Sequence, residues 1–468
     1  MQVRALKLML GMMVIATGGC AVAGKLDDRA ADPRTASSLL LPQKEKDQGE
    51  RAIVLMETPD RSDHISVAGA TKQQAGASLT LAQCIETSLA QHPDLVLVAA
   101  QADAARGQLV QAGLYPNPTI AYESDDMNSP FGGAGKQGGS ITQTIVTAGK
   151  LGLSSSVAAR GVEVANLKAQ AKFYDLVTRV RATFYDNLTA QQEVETAREV
   201  LRIAQDGLNS AEKLQKAGIV GQPDVLRAQV ELEQSKVKVA IAEQHVQTSW
   251  RLLANVLGQK DLPMQPLVGS LQESIPEYDY HQIRQTMYDV SADLEAARTT
   301  VAQAEVAVQR AEAEVTPDLQ LVARPFYSQP DGRTELAVGI SAPLPLYNRN
   351  QGNIMAARAN VAAAQAALGQ LELALSERLT LAFERYSNAK KQVQAYSQKI
   401  LPAAQESLRL ILVAYNSGDQ RNDFTTVLQA QQSLAQAKLG LVQARGELQK
   451  AVSEIEGLLQ RVPQGVNR

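Results

Sequence analysis

Two stretches of the chain carry the same apolar pattern and decide the fold. The first is VLRAQVELEQSKVKVAIAEQHVQTSWRLLANV, residues 225–256, and the second is VLQAQQSLAQAKLGLVQARGELQKAVSEIEGL, residues 427–458. In both, apolar or small residues recur in alternating steps of three and four, and the two series are offset by 202 positions (427 − 225). This step is the heptad seam of left-handed helix packing, in which Ala or Ser lets neighbouring helices approach closely. The pattern predicts two long packed helices of the same kind.

A second pair of stretches extends the duplication. Residues 95–112 and 294–311 share another three-four series at an offset of 199 (294 − 95). Each repeat is therefore predicted to contain three helices, of about 36, 64 and 36 residues in that order. At 1.5 Å per residue, two short helices end to end match one long helix, which indicates a rod or tube about 100 Å long. The predicted helices are 80–115, 153–216 and 223–258, then 281–315, 352–416 and 423–460.

Short strands separate the first and second helix of each repeat. Prolines at 116, 118 and 317 end the preceding helices, because proline cannot continue them. The intervening residues 125–139 are polar and rich in Gly, which predicts a surface loop. The predicted strands are Thr119–Ser124, Ser140–Val146, Asp318–Phe326 and Thr334–Ala342.

The last predicted strand alternates in the manner of a membrane barrel. Leu336, Val338 and Ile340 fall on one face, and polar or small residues fall on the other. Four strands cannot close a barrel, since the smallest single-chain barrels have eight. Three copies supply twelve strands, so the pattern predicts a homotrimer. A pair of water-exposed hairpins capping a helical rod stays open as the alternative.

The composition excludes several functional classes. Hydrophobic residues make up 45% of the chain but aromatic residues only 4%, which favours thin helices in close contact over a bulky core. The net charge of −3 gives no support for nucleic-acid binding. Two cysteines and four scattered histidines argue against a disulfide scaffold or a metal cage. The chain contains no phosphate-binding loop and no zinc-protease motif, so we expect neither an enzyme nor a cofactor.

The N-terminus reads as an export signal. Residues 1–23 combine a basic start with an apolar stretch too short to span a bilayer. Cleavage after Ala21-Val22-Ala23 and lipidation of Cys20 after Gly18-Gly19 both fit. The predicted organisation is a signal at 1–23, a polar linker at 24–78, a first repeat at 79–260 with its hairpin at 118–147, a connector at 261–280, a second repeat at 281–460 with its hairpin at 318–345, and a tail at 461–468.

The order of these elements resembles the TolC family of outer-membrane efflux channels over about residues 79–460. The Gly113–Pro118 segment and the Gly149-Lys150 pair are similar to the heavy-metal branch. The matching segments are Leu79-Thr80-Leu81, Pro93-Asp94-Leu95, GLYPNP at 113–118, Gly149-Lys150, Gly218 through Leu226, and Tyr415-Asn416-Ser417-Gly418 through Leu428.

The resemblance implies a trimer with a 12-stranded β-barrel in the outer membrane and a helical barrel across the periplasm. It also implies a periplasmic adaptor (membrane fusion) protein and an inner-membrane pump, either of the RND type or an ABC transporter. On this resemblance the chain is a passive duct for small molecules or metal ions, contacting outer-membrane lipids. Alternatives are a channel for ABC-driven protein secretion, a periplasmic adaptor, and a coiled-coil rod without a pore.

The resemblance also places a periplasmic gate at the helix turns. Asp224 falls on an acidic gate position, Tyr415 on its tyrosine partner, and Arg421 near the arginine partner, displaced by a two-residue insertion. A helix N-cap is the alternative role of Asp224. Drug-efflux members often carry two acidic residues where this chain has Thr426 and Gln429, so an acidic ring from that repeat is doubtful. The full set of expected tip residues is Asp224, Tyr415, Arg421, Gly218, Gly418, Asp419 and Asp423.

Overall fold

The computed structural model describes residues 79–125, 135–272, 275–329, 331–416 and 424–462. Within these residues the order of two short helices, two strands, a long helical stretch and a final helix occurs twice. The helices are α1 Leu81–Gln91, α2 Pro93–Ala112, α3 Lys150–Lys216, α4 Gln222–Val256, α5 Tyr280–Val290, α6 Ala292–Ala313, α7 Gln351–Ala395, α8 Leu401–Asn416 and α9 Phe424–Leu458. The strands are β1 Leu79–Thr80, β2 Thr119–Asp125, β3 Lys136–Ile145, β4 Leu267–Val268, β5 Leu319–Ser328 and β6 Arg333–Ser341.

The first helix of each repeat is broken, which corrects the predicted single helices at 80–115 and 281–315. Pro93 begins α2 because it has no N–H to bond to the preceding turn. His92 adopts an extended conformation there, and its Nδ1 accepts from the Asp94 N–H at 3.1 Å. In the second repeat Ser291 caps α6 in the same way, accepting from the Leu294 N–H at 3.3 Å. In both repeats an extended N-cap residue thus replaces a continuous helical turn.

The two long helical stretches differ in regularity. Helix α3 runs unbroken for 67 residues, about 100 Å at the standard rise. The predicted helix 352–416 is instead interrupted by a five-residue π turn, Tyr396–Ile400, between α7 and α8. Pro402 follows the turn, and a proline both lacks an N–H and crowds the carbonyl four residues earlier in a regular α-helix. None of the described helices is both long and apolar enough to cross a lipid bilayer.

The two hairpins join into one antiparallel sheet with the strand order β2-β3-β5-β6. The joint is β3 with β5, where Ile141 faces Ala323 and Ile145 faces Leu319. Strand β3 begins at Lys136, so the end of the predicted 125–139 loop is strand instead; residues 126–134 lie outside the described part. A short parallel bridge, β1 with β4, ties the connector at Leu267 back to Leu79, a contact that the sequence did not indicate.

The long helices form a layer in the order α4, α3, α9 and then the stretch α7–α8. Two large apolar clusters lie in the sheet-side half of this layer. One surrounds Phe184 and Trp250 on α3 and α4, and the other surrounds Leu379 and Ile455 on α7 and α9. A third, smaller cluster lies at the far ends of the helices. Most large buried side chains therefore belong to the half of the layer nearer the sheet.

The seam between α3 and α9 joins the two repeats at very short range. A Cβ added at Gly446 would lie 2.2 Å from Thr189 Oγ1, and one added at Gly457 would lie 2.0 Å from Thr178 Oγ1. Ion pairs follow the same antiparallel register: Lys438 with Glu199 at 2.5 Å, Lys450 with Asp186 at 3.0 Å, and Arg181 with Glu456. Glycine at these points is what permits the two helices to touch.

Gly446→Ala tests this seam. Thr189 Oγ1 already donates to the Tyr185 carbonyl at 2.6 Å, so the side chain has little freedom to move away. We expect a loss of about 1–3 kcal/mol in the free energy of unfolding, the usual cost of overpacking. Gly369→Ala is the matched control, because its added Cβ would meet nothing within 4 Å among the described residues; it should stabilise by about 0.5–1 kcal/mol. Equal denaturation midpoints for the two variants would contradict the close seam.

Asp94, in the first turn of α2, forms ion pairs with two basic residues of α3. Its carboxylate lies 3.1 Å from Lys172 Nζ and 3.4 Å from Arg179 Nη1. Burial acts to raise the pKa of Asp94, but the hydrogen bond and charge of Lys172, together with His92 and Arg179, outweigh it and hold that pKa below its usual value. A lowered folded-state pKa stabilises the protein above the unfolded pKa, and this contribution is lost as the pH falls through the folded value.

Asp94→Asn should therefore lower the free energy of unfolding at pH 7 by about 0.5–1 kcal/mol, since the carboxylate is partly exposed and screened. The difference from the parent chain should be clearly smaller at about pH 3, below the unfolded pKa, and should vanish only below the lowered folded pKa. Urea unfolding at the two pH values measures it. Asp103→Asn is the control, because Asp103 pairs with Arg106 on its own exposed helix face. A deficit as large at pH 3 as at pH 7 would mean that the lost charge is not its cause.

Candidate functional site at the helix tip

The candidate site lies where the long helices turn, at the end of the layer far from the sheet. Helix α3 ends at Lys216, and Gly218 adopts a left-handed φ of +74° that a side chain would strain. The Ile219 N–H then bonds to the Leu214 carbonyl at 2.9 Å, which closes the turn. The ends of three helices, α3, α4 and α9, meet there in a small apolar cluster formed by Ala211, Val225, Ala228, Phe424 and Leu428.

Asp224 is the third residue of α4 and organises its first turn. Its Oδ2 accepts from the Gly221 N–H at 3.2 Å, so Gly221 is the N-cap and the predicted capping role of Asp224 shifts by three positions. Its Oδ1 accepts from Arg227 Nη1, also at 3.2 Å. Both contacts lie within α4 and its cap, so the carboxylate acts on the start of its own helix.

Arg227 connects the start of α4 to the start of α9, and sequence reasoning missed it. Its Nη1 also donates to Thr425 Oγ1 at 3.0 Å, across from α4 to the first turn of α9. The Arg227 side chain is 56% exposed, which leaves it room to exchange partners. The available signal was its spacing, since Arg227 follows Asp224 by one helical turn and is therefore positioned by it.

Tyr415 lies at the end of α8, against the same apolar cluster. Its ring centroid is 6.3 Å from that of Phe424, at an interplanar angle of 51°. Thr426 and Gln429, the neutral residues at the expected acidic positions, lie on the first two turns of α9. The other expected tip residues, Gly418, Asp419, Arg421 and Asp423, fall outside the described residues, as does Cys20.

A groove of about 530 Å³ opens between α4 and α9 beside Arg227. Glu231 lines it and is buried, with 7% of its surface exposed. A buried carboxylate is costly unless it is hydrogen-bonded, and Gln432 Nε2 donates to Glu231 Oε2 at 2.6 Å. This contact and the Arg227–Thr425 bond both cross from the first repeat to the second. Among the described residues, two polar bridges and a small apolar cluster thus join the two repeats at the tip.

The family model for outer membrane efflux proteins matches residues 84–259 and 284–460. The chain belongs to this family. The two matched segments account for most of the sequence and fall within the two repeats. The resemblance seen in the sequence is therefore confirmed, and the periplasmic-adaptor and pore-less rod alternatives are excluded. Members of this family are channels of the outer membrane and not enzymes.

Two curated relatives are metal-resistance proteins. The cobalt-zinc-cadmium resistance protein CzcC of Cupriavidus metallidurans is 23% identical, with 83% of this chain and 92% of that protein covered. The nickel-cobalt-cadmium resistance protein NccC of Alcaligenes xylosoxydans xylosoxydans is 24% identical, with 64% and 68% covered. Among solved structures, the outer-membrane channel OprN shares the fold with a TM-score of 0.70 at 19% identity, over 81% of this chain and 89% of that one.

Proposed function

We propose that three copies of this chain close into an exit channel through the outer membrane, a passive duct driven by an inner-membrane pump. The observation that carries the proposal is an apolar row across the whole sheet: Ile120 faces Ile141, which faces Ala323, which faces Val338. Ile120 is 77% and Val338 68% exposed in the single chain. A continuous exposed apolar face is what a lipid-facing barrel wall requires.

The opposite face of the sheet is polar and suits the lumen. Glu123 lies in the row that ends at Glu335 on β6. Its carboxylate accepts from Ser140 Oγ at 2.8 Å and lies 3.5 Å from Arg324 Nε. Charged groups that satisfy one another in this way can face water inside a barrel while the other face contacts lipid.

Within the described sheet, both outer strands have one edge that no other strand pairs. Open edges cannot face lipid, because their N–H and C=O groups would lack partners. Pairing β6 of one copy with β2 of the next satisfies them, and three copies supply the twelve strands of a closed wall.

The helical layer has matching open edges. On α4, the exposed residues Leu226, Val230, Val237 and Ile241 follow the heptad and are 50% to 65% exposed. On α8, at the other edge of the layer, Leu410 and Val413 are 52% and 57% exposed. A heptad seam that is exposed in the single chain indicates that a helix of another copy packs on it in the assembly. Packing the α4 edge of one copy on the α8 edge of the next is a head-to-tail contact that closes into a ring.

In this proposal the tip is the gate. The Arg227–Thr425 and Glu231–Gln432 bridges hold the starts of α4 and α9 together. The exposed Arg227 contact is worth about 1 kcal/mol or less, and the buried bond to Glu231 about 1.5–3 kcal/mol. Such a latch is weak enough to open when a partner binds. Asp224 positions Arg227, and Gly218 and Tyr415 shape the turns. Gly418, Asp419, Arg421 and Asp423 belong to the second turn in the same proposal.

The proposed partners are a periplasmic adaptor and an inner-membrane RND-type pump, with metal ions as the transported substrate. Support comes from the names of the relatives CzcC and NccC, which are metal-resistance proteins. Residues 1–23 would direct export to the periplasm, and the two 79–260 and 281–460 repeats would form one third of the channel wall. Lipidation of Cys20 is part of the proposal only if the signal is cleaved before it.

Arg227→Ala tests the channel and its gate together. In planar lipid bilayers the parent trimer should conduct in rare, brief openings, and the variant should open more often and for longer, because one of the two polar bridges at the tip is removed and only Glu231–Gln432 remains. Arg409→Ala is the matched control, since Arg409 is an exposed arginine near the tip that pairs with Glu406 on its own helix. No conductance from either the parent or Arg227→Ala would exclude the channel, and equal opening of both variants would exclude the latch.

Metal export is tested in cells. A host that lacks its own channel but retains adaptor and RND pump should regain growth on cobalt, zinc and cadmium when this chain is supplied. The readout is the accumulated metal per cell, which should fall on complementation. Unchanged metal content, with a conducting channel in bilayers, would point to a different substrate for the same duct.

A further inference from the structure

We propose that Arg324 determines the ion selectivity of the sheet portion of the channel, because it neutralises a carboxylate, Glu123, that is fixed on the polar face of the sheet. The inference rests on the proposed function, in which this polar face lines the lumen, and adds a specificity-determining residue to it. With Arg324 in place, a transported cation passes Glu123 without being held there.

All charged residues of the described four-stranded sheet lie on one face. Residues that are paired across neighbouring strands share a face, and successive residues of one strand alternate between the two faces. The register therefore places every charge opposite the apolar row that begins at Ile120, and the apolar face of the described strands carries none. The charged residues are three acids, Glu123, Asp125 and Glu335, and three bases, Lys136, Arg324 and Arg333. The polar face of this sheet is thus neutral as a whole.

The Glu123 carboxylate is held in place by the strand beside it. Ser140 is buried, and its Oγ donates to Glu123 Oε1 at 2.8 Å. Gly138 lies directly opposite Glu123, and a Cβ added there would lie 2.2 Å from the Pro325 carbonyl oxygen, so no side chain fits at this point of β3. Arg324 of β5 therefore reaches across β3, and its Nε lies 3.5 Å from Glu123 Oε2. These two residues form the crossing pair, which joins β2 to β5.

The other charges of the polar face lie nearer the end of the sheet that is far from the helices. Arg333 begins β6, and its Nε lies 3.0 Å from Glu335 Oε1 on the same strand. Lys136 begins β3 and lies opposite Asp125, the last residue of β2. The crossing pair lies further along the lumen, and its carboxylate is fixed by a buried hydroxyl. Loss of its arginine would therefore leave an unpaired acid that cannot swing toward another base.

Charges on the wall of the sheet act on passing ions even in a wide duct. At the tip, Thr426 and Gln429 supply no charge where two acids were expected, which gives the wall charges more weight. A charged wall concentrates counter-ions, and its field reaches about 30 Å at 0.01 M salt but only about 3 Å at 1 M. A trimer without Arg324 would carry three unpaired carboxylates at one level. Such a ring favours cations over anions, and divalent cations most, because the attraction grows with the charge of the ion.

Arg324→Gln is the direct test, made in the Arg227→Ala background so that the channel opens often. The permeability ratio of potassium to chloride is measured in planar bilayers from the reversal potential across a salt gradient. We expect this ratio to rise severalfold at low salt and to return toward the background value at about 1 M, where the wall charges are screened. Added cadmium ions should reduce the potassium current at a lower concentration than in the background alone. Arg324→Lys keeps the charge and should keep the permeability ratio.

Glu123→Gln provides a variant of opposite sign, which keeps the test decisive if Arg324→Gln does not assemble. It leaves Arg324 unpaired, so the permeability ratio should shift toward chloride. The matched control is the double variant Glu123→Gln with Arg324→Gln, which is neutral again and should restore the background ratio and the weak cadmium effect. The inference is refuted if the background channel conducts and both single variants leave its permeability ratio unchanged at low salt. Absence of conductance from the background channel itself would instead count against the proposed function.

Discussion

Each chain has unpaired strand edges in its sheet and exposed apolar residues on the outer helices of its helical layer. This need for partners constrains the rest of the structure. In the described sheet, strands β2 and β6 each have a free edge, and helices α4 and α8 each carry exposed apolar residues on their outer sides. Backbone groups at a sheet edge and an exposed heptad both call for a partner. Because the two edges of one copy differ, they complement each other and not themselves. A closed ring of copies satisfies strands and helices with the same rotation.

The thinness of the wall explains the composition. Helices α3 and α9 meet through Gly446 and Gly457, where the threonines of α3 fill the space of the absent side chains. Such close contacts leave no room for aromatic side chains, which accounts for an aromatic content of only 4%. The register of α9 against α3 is specified by ion pairs along the same seam, such as Lys450 with Asp186. The proposed tube would use its buried area for helix contacts and keep its centre free for passage.

Much of this architecture follows from periodicity, and the exceptions have local causes. The heptad series predicted the long helices, and the alternation in β6 predicted its exposed apolar face. The break at Ser291 and the π turn before Pro402 escaped prediction, because a seam pattern reports which residues face a partner and carries no information on how one turn is hydrogen-bonded. The joining of β3 to β5 is a long-range contact of the same kind. At the tip, Asp224 was expected from the resemblance, whereas Arg227 depends on a bond to Thr425 that only the folded chain reveals.

The most direct measurement of the central claim is which edges meet between copies in the membrane. Cysteines placed at Val230 on α4 and Val413 on α8 offer the test, since the native Cys84 is fully buried and does not interfere. Copies carrying both cysteines should oxidise to covalent dimers and trimers, whereas copies with either one alone should stay uncrosslinked. Rapid crosslinking of the Val230→Cys chain to itself would mean that like edges meet. It would contradict the ring and, with it, the closed channel.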